Sequence, residues 1–211
     1  MSEKYKFDTM SLHSGHVPDK ETGSRAVPIY QTTSYVFKDT DEAAALYNME
    51  VGGHLYTRIS NPTIATLEQR LASLDGGVSC VACSSGMAAM HLVVTAICSS
   101  GDHIVASNKM YGANINLLQH TMTRFGIETT FVNPNNLEEI EKAIKPNTKL
   151  VFGEVIGNPG LDVMNVPEVA KICKKKNVPL AIDATFNTPY LMKPITSVSY
   201  THLTLPTKLS V

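Results

Sequence analysis

Cysteine is scarce: four in 211 residues, with Cys98 and Cys173 isolated, too few and too scattered for a disulfide framework. Charge of one sign is lacking too. Eighteen Lys and Arg stand against nineteen Asp and Glu, for a formal net charge of −1, so no basic footprint invites nucleic acid or an anionic membrane. The longest mostly apolar run, Met87 to Cys98, contains His91 and is too short to span a bilayer. The opening Met1 to Asp8 is polar, without the apolar region of a secretory signal. G-x-G-x-x-G, the Walker phosphate loop and G-x-S-x-G are all missing, which lowers dinucleotide, nucleoside-triphosphate and serine-hydrolase readings. What is there is 43% apolar and 18% charged, the composition of a folded globular protein. A chain of this length buries roughly 70% of its unfolded surface. The expectation is a soluble protein of a reducing, cytoplasmic compartment, with no nucleic acid or membrane as partner.

Along the chain, residues 1–55 carry few regular signals, and only Thr40 to Asn48 reads as a short helix. So long an irregular stretch is expected to be either disordered or an arm that orders against another surface. From Asn61 the pattern becomes regular. Asn61-Pro62 is a cap with a first-turn proline, Ile64, Leu67, Leu71 and Leu74 share a helical face, and Gly76-Gly77 ends it. Val78 to Cys83 reads as a buried strand, followed by a helix with Met87, Met90, His91, Val94 and Ile97 inside. Strands are expected at His103 to Ser107, Ile127 to Val132, Lys149 to Val155 and Val178 to Asp183. The helices between them are Gly112 to Arg124, Leu137 to Lys145, and one starting at Asn165 with Val166, Val169, Ala170 and Cys173 inward. Asn136 with Glu139, and Asn165 with Glu168, have capping-box spacing. This alternation predicts an α/β fold with a mainly parallel sheet, whose ligands sit at the carboxyl ends of the strands.

The residues after each strand are therefore the candidates. Ser84-Ser85-Gly86-Met87 opens a helix with free backbone N–H groups that suit a phosphate, or is a plain N-capped turn. Asp183, ending an apolar strand before Ala184-Thr185, can hold a cationic ring nitrogen or a metal, or cap a loop. Asn158-Pro159-Gly160 lies at the same edge, its amide able to bond a ligand oxygen. Tyr111-Gly112 offers a ring to stack on a planar ligand, or a core tyrosine. Arg58, in Tyr56-Thr57-Arg58, offers a planar fork for phosphate or is a surface arginine. Cys80 and Cys83, three apart in an expected strand, point to opposite faces, so no metal site is expected. His13 and His16 lack neighbouring ligands, and His91 reads as a core histidine.

Taken together these pieces resemble the Cys/Met-metabolism family of pyridoxal-phosphate (PLP) enzymes, and within it the O-acetylhomoserine sulfhydrylases. The resemblance covers about Phe7 to Ile195 and rests on Pro28-Ile29-Tyr30-Gln31-Thr32, Tyr56-Thr57-Arg58-Ile59-Ser60-Asn61-Pro62-Thr63, Ser85-Gly86-Met87, Tyr111-Gly112, Asn158-Pro159, Asp183-Ala184-Thr185 and Thr188-Pro189-Tyr190-Leu191. It implies a type I aminotransferase-like fold, incomplete here, with residues 1–55 as an arm and 56–195 as the PLP-binding domain. In such a domain Gly86 and Met87, with Ser85, would hold the cofactor phosphate. Tyr111 would stack on the ring and take part in catalysis, Asp183 would pair with the ring nitrogen, Asn158 would contact the ring hydroxyl and Thr185 would support the ring. Tyr56 and Arg58 would reach the phosphate of a neighbouring subunit in a homotetramer of dimers that share active sites. The implied reaction is γ-replacement on O-acetylhomoserine by sulfide or a thiol, giving homocysteine or methionine. A methionine γ-lyase or a cystathionine γ-synthase or γ-lyase is the alternative. Some γ-lyases carry Cys after the Tyr-Gly pair, where this chain has Ala113-Asn114.

The family also needs a Schiff-base lysine in a Ser-x-Thr-Lys-like context. Thr207-Lys208 lies 25 residues after Asp183, about where the family places it, yet Leu205 replaces the serine and Thr196 to Pro206 lacks the family's Gly-Ala-Asp and buried strand. Residues 196–211 hold seven Ser or Thr and none of the nineteen acidic groups. That composition predicts a non-native tail, and the resemblance implies a missing C-terminal domain and an inactive fragment unless Lys208 serves.

Overall fold

The computed structural model describes residues 5–197, in two compact units that divide between Ala82 and Cys83. In the first, α1 (Phe7–His13), α2 (Thr40–Tyr47) and α3 (Pro62–Asp75) form. Helix α1 is an addition to the sequence reading. Met10 is buried, and the carbonyl of Ser14 just beyond the helix accepts from Arg70 Nε of α3 at 2.9 Å. Asp39 caps α2 through Glu42 N, and Asn61 caps α3 through Thr63 N. Gly76 ends α3 at φ +79°, a left-handed conformation that suits glycine. The irregular segment is knitted to the start of α3: Thr63 Oγ1 donates to the carbonyl of Pro28 and accepts from Tyr30 N, while Asn61 Nδ2 donates to the carbonyl of Tyr30. The apolar face expected for α3 is only partly used, with Leu74 buried but Ile64 and Leu67 exposed.

The second unit contains β1 (His103–Ser107), β2 (Glu128–Val132), β3 (Thr148–Glu154) and β4 (Leu180–Asp183) in the order β2-β1-β3-β4, every neighbouring pair parallel. Alternation along each strand serves two cores. Ile104, Ala106, Leu150, Phe152 and Ala181 pack under α4 (Gly86–Ile97) and the helical stretch that begins with α5 (Gly112–Asn116). Val105, Val151, Leu180 and Ile182 pack under α6 (Leu137–Ala143) and α7 (Val166–Lys176). Each of the Val, Leu, Ile and Phe side chains contributes about 1.5–3 kcal/mol on full burial, and a parallel sheet needs cover on both faces. Val166, Val169, Ala170 and Cys173 are buried, as their spacing predicts. Helix α8 (Thr188–Leu191) follows β4.

Three sequence expectations are corrected. Val78 to Cys83 is not a strand, and Val78 and Val81 are exposed. An apolar run becomes a strand only with a hydrogen-bonding neighbour, and among the described residues none flanks it, so the reasoning on Cys80 and Cys83 as strand residues also lapses. The helix over Gly112 to Arg124 is not uniform: α5 widens into a π-helical turn at Leu117–Thr121 and tightens into a 3-10 turn at Met122–Phe125. His91 is half-buried rather than in the core, because Val93 and Val94, with Ala89 and Met90, take the inward face of α4.

Candidate active site

Parallel strands send their carboxyl ends to one edge of the sheet. β1 ends at Ser107, four residues before Tyr111; β3 ends at Glu154, four before Asn158; β4 ends on Asp183 itself. A short turn joins the C-terminus of α4 to the start of β1, so α4 runs back along the sheet and brings its N-terminus to the same edge. Ser85 Oγ accepts from Ala88 N at 3.1 Å and the Ser85 carbonyl from Ala89 N at 3.0 Å. The N–H groups of Gly86 and Met87, in the first turn, have no intrahelical acceptor. With the positive end of the helix dipole they make an anion-binding end.

Asp183 is half-buried, and its Oδ1 takes both bonds from Thr185, one from the backbone N at 2.9 Å and one from the hydroxyl. Its Oδ2 makes no bond among the described residues and is the oxygen left to meet a ligand. Tyr111 is 49% exposed, which decides against a core tyrosine and leaves a ring face open. Asn158 is half-buried and donates its backbone N–H to Glu154 Oε2 at 3.2 Å, with its side-chain amide unengaged among the described residues. The Asn158–Pro159 peptide is cis.

Glu154 was not among the sequence candidates. It is buried, and its Oε1 accepts from the backbone N of Tyr111 at 2.7 Å and from Asn114 Nδ2 at 3.2 Å. Burial pushes its carboxyl above the usual carboxylate range, and the charge of Asp183 adds to that rise against the pull of the three donors. The signal was present in the sequence: Leu150-Val151-Phe152-Gly153-Glu154 is an apolar strand ending on a carboxylate, as Leu180-Ala181-Ile182-Asp183 is.

Residues 8–198 match the family described as Cys/Met metabolism PLP-dependent enzyme. The chain belongs to that family. An O-acetyl-L-homoserine sulfhydrylase of Leptospira meyeri is 45% identical over 92% of this chain and 44% of its own length. An L-methionine γ-lyase of Fusobacterium nucleatum is 37% identical over 92% of this chain and 49% of its own length. Among solved structures, a Campylobacter jejuni protein described as an O-acetylhomoserine (thiol)-lyase, with pyridoxyl-lysine monophosphate in its chain, superposes with a TM-score of 0.89 at 38% identity. That match covers 92% of this chain and 47% of the other. This chain thus spans under half the length of the curated relatives it matches. Its fold is the α/β, type I aminotransferase-like fold of those PLP enzymes.

The residues at the edge fit the family's cofactor. First-turn amides suit a phosphate dianion, an open carboxylate oxygen suits a protonated ring nitrogen, and an exposed aromatic face suits a planar ring. Tyr56 and Arg58 belong to the first unit, both exposed, the Arg58 guanidinium standing 5.6 Å from the centre of the Tyr56 ring. Lys208 and most of the expected tail, residues 198–211, lie outside the described residues. Among the described residues no group of three or more His, Cys, Asp or Glu gathers where a metal ion could sit, and no helix is long and apolar enough to cross a membrane.

Proposed function

We propose that the protein to which this chain belongs is a PLP-dependent sulfhydrylase that carries out γ-replacement on O-acetylhomoserine with sulfide or a small thiol. The observation that carries the reading is the carboxylate of Asp183, one oxygen held by Thr185 and the other open at the strand edge. Bound there, PLP supplies a cationic conjugated ring that withdraws electrons from the amino-acid carbons. Asp183 Oδ2 keeps the ring nitrogen protonated, and Thr185 keeps Asp183 in place. Gly86 and Met87 N–H, beside Ser85, neutralise the phosphate, Tyr111 covers one ring face and Asn158 meets the ring hydroxyl. Tyr56 and Arg58, exposed on the first unit, serve the phosphate of a neighbouring subunit in a homotetramer. All four cysteines are outside disulfides, in keeping with a cytoplasmic enzyme. Residues 1–55 act as the arm, 56–195 as the cofactor domain, and 196–211 as a non-native segment.

The sulfhydrylase reading rests on the relatives at 42–45% identity, against 37% for the γ-lyases. The test is an assay of this chain continued to the full length of those relatives. Homocysteine formed from O-acetylhomoserine and sulfide is the expected outcome, whereas dominant 2-oxobutyrate release from methionine alone makes it a γ-lyase. Asp183→Asn should lower turnover by at least tenfold, since a charge-assisted bond becomes a neutral one. Borohydride reduction of the PLP-loaded 211-residue chain, followed by peptide mass spectrometry, tests Lys208 as the attachment point; an adduct on Lys208 with sustained turnover overturns the inactive-fragment reading.

A further inference from the structure

Two carboxylates stand side by side at the carboxyl edge, since Glu154 and Asp183 are partners in the β3–β4 register. Their surroundings differ. Among the described residues the Asp183 side chain bonds only Thr185, two residues along its own chain, and keeps an oxygen open. Glu154 is 6% exposed and bonded at both oxygens from within: Oε1 takes Tyr111 N and Asn114 Nδ2, and Oε2 takes Asn158 N. One side chain thereby ties the segment after β1 to the loop after β3, and two of its three donors are the backbone N–H groups of the residues that offer a ring face and an amide. A buried carboxylate with a like charge beside it is costly to keep. An apolar side chain would serve packing better, so its presence calls for a role beyond packing.

We propose that Glu154 is a positioning residue for the cofactor. Its two oxygens set the spacing between Tyr111 and Asn158 at which a pyridine ring is received between them, and its charge, added to that of Asp183, favours a cationic ring over a neutral one. This rests on the PLP reading above. Glu154→Gln keeps the size and one acceptor oxygen for Tyr111 N, and turns an NH2 toward Asn158 N. Glu154→Ala releases both loops.

The experiment uses the full purified chain and PLP as the probe, reading three quantities. These are the PLP dissociation constant by absorbance, the visible circular dichroism of bound PLP, and amide hydrogen exchange at Tyr111 and Asn158 without PLP. Glu154→Gln should weaken PLP about tenfold, diminish the visible dichroism and speed exchange at Asn158 more than at Tyr111. Glu154→Ala should weaken PLP about a hundredfold and speed exchange at both. Wild-type chain that binds PLP while Glu154→Gln binds it within twofold, with unchanged dichroism, overturns the role of Glu154 and spares the PLP reading, even if the melting temperature falls. Wild-type chain that fails to bind PLP overturns both.

Discussion

The imidazole Nδ1 of His103 stands 2.8 Å from the hydroxyl of Thr148, and its Nε2 stands 2.8 Å from the hydroxyl of Thr130, so one fully buried histidine on β1 pins the two strands beside it. This pin lies at the amino end of the sheet, opposite the candidate site. Burial lowers the tendency of His103 to take a proton, Lys145 adds to that and Glu128 opposes it. The unfolded chain, with histidine near its ordinary value of about 6.5, therefore binds the proton first. The contribution of His103 is complete above about pH 6.5 and is lost as pH falls from there through the lowered folded value. Denaturation midpoints at pH 8 and pH 5.5 should fall further for the wild type than for His103→Gln. That variant should be less stable at pH 8 by about 0.5–1.5 kcal/mol, because the two hydroxyls lose the imidazole while Thr148 keeps its bond from Lys145 N.

Gly157 sits between Glu154 and Asn158, where an added Cβ would lie 2.2 Å from the carbonyl oxygen of Lys109. Backbone cannot swing aside as a side-chain end can. Gly157→Ala should cost about 1–3 kcal/mol of stability, as overpacking does, and should weaken PLP binding through the displaced Asn158 loop. Denaturant titration and PLP absorbance check the two effects. Gly153→Ala makes a control, since its Cβ would meet the flexible end of Met164, and should leave PLP binding nearer the wild type.

Asn61 does three things with one amide: its oxygen caps α3 at Thr63 N, and its nitrogen donates to the carbonyl of Tyr30 and to Thr57 Oγ1. Asn61→Ala should destabilise the first unit by about 2 kcal/mol, the upper end for a lost cap. Asn61→Asp keeps the cap and loses the two donations, so it should fall between. Faster amide exchange at Thr63 in Asn61→Ala but not in Asn61→Asp would show that capping is separable from the tie to Tyr30.

Burial pushes the thiol of Cys98 up to about 11 and that of Cys173 up to about 12, whereas Cys80 and Cys83 are half-buried. Maleimide labelling of native protein at pH 7.5 should modify Cys80 and Cys83 well before Cys98 and Cys173, which react only on unfolding. Peptide mapping after a short exposure checks the order.

The sequence by itself determined the elements whose signals are local. The N-caps at Asn61, Ser85, Asn136 and Asn165 all form, because a cap is a bond between neighbours three residues apart or fewer. The four parallel strands and the buried face of α7 were legible for the same reason, as period and capping act within a few residues. Tyr111, Asn158, Asp183 and Thr185 could be named as candidates because a parallel sheet delivers whatever ends or follows its strands to one edge, and Ser85, Gly86 and Met87 because they open a capped helix. Tertiary structure decided what depends on distant partners. Val78 to Cys83 is as apolar as a strand but has no strand beside it, and Ile64 and Leu67 keep their helical spacing with nothing to cover them. The exposure of Tyr111 was equally open until packing set it. Glu154 is the clearest case: the local pattern puts a carboxylate at the end of an apolar strand, but its three donors come from residues 111, 114 and 158 and are brought to it only by the fold of the sheet.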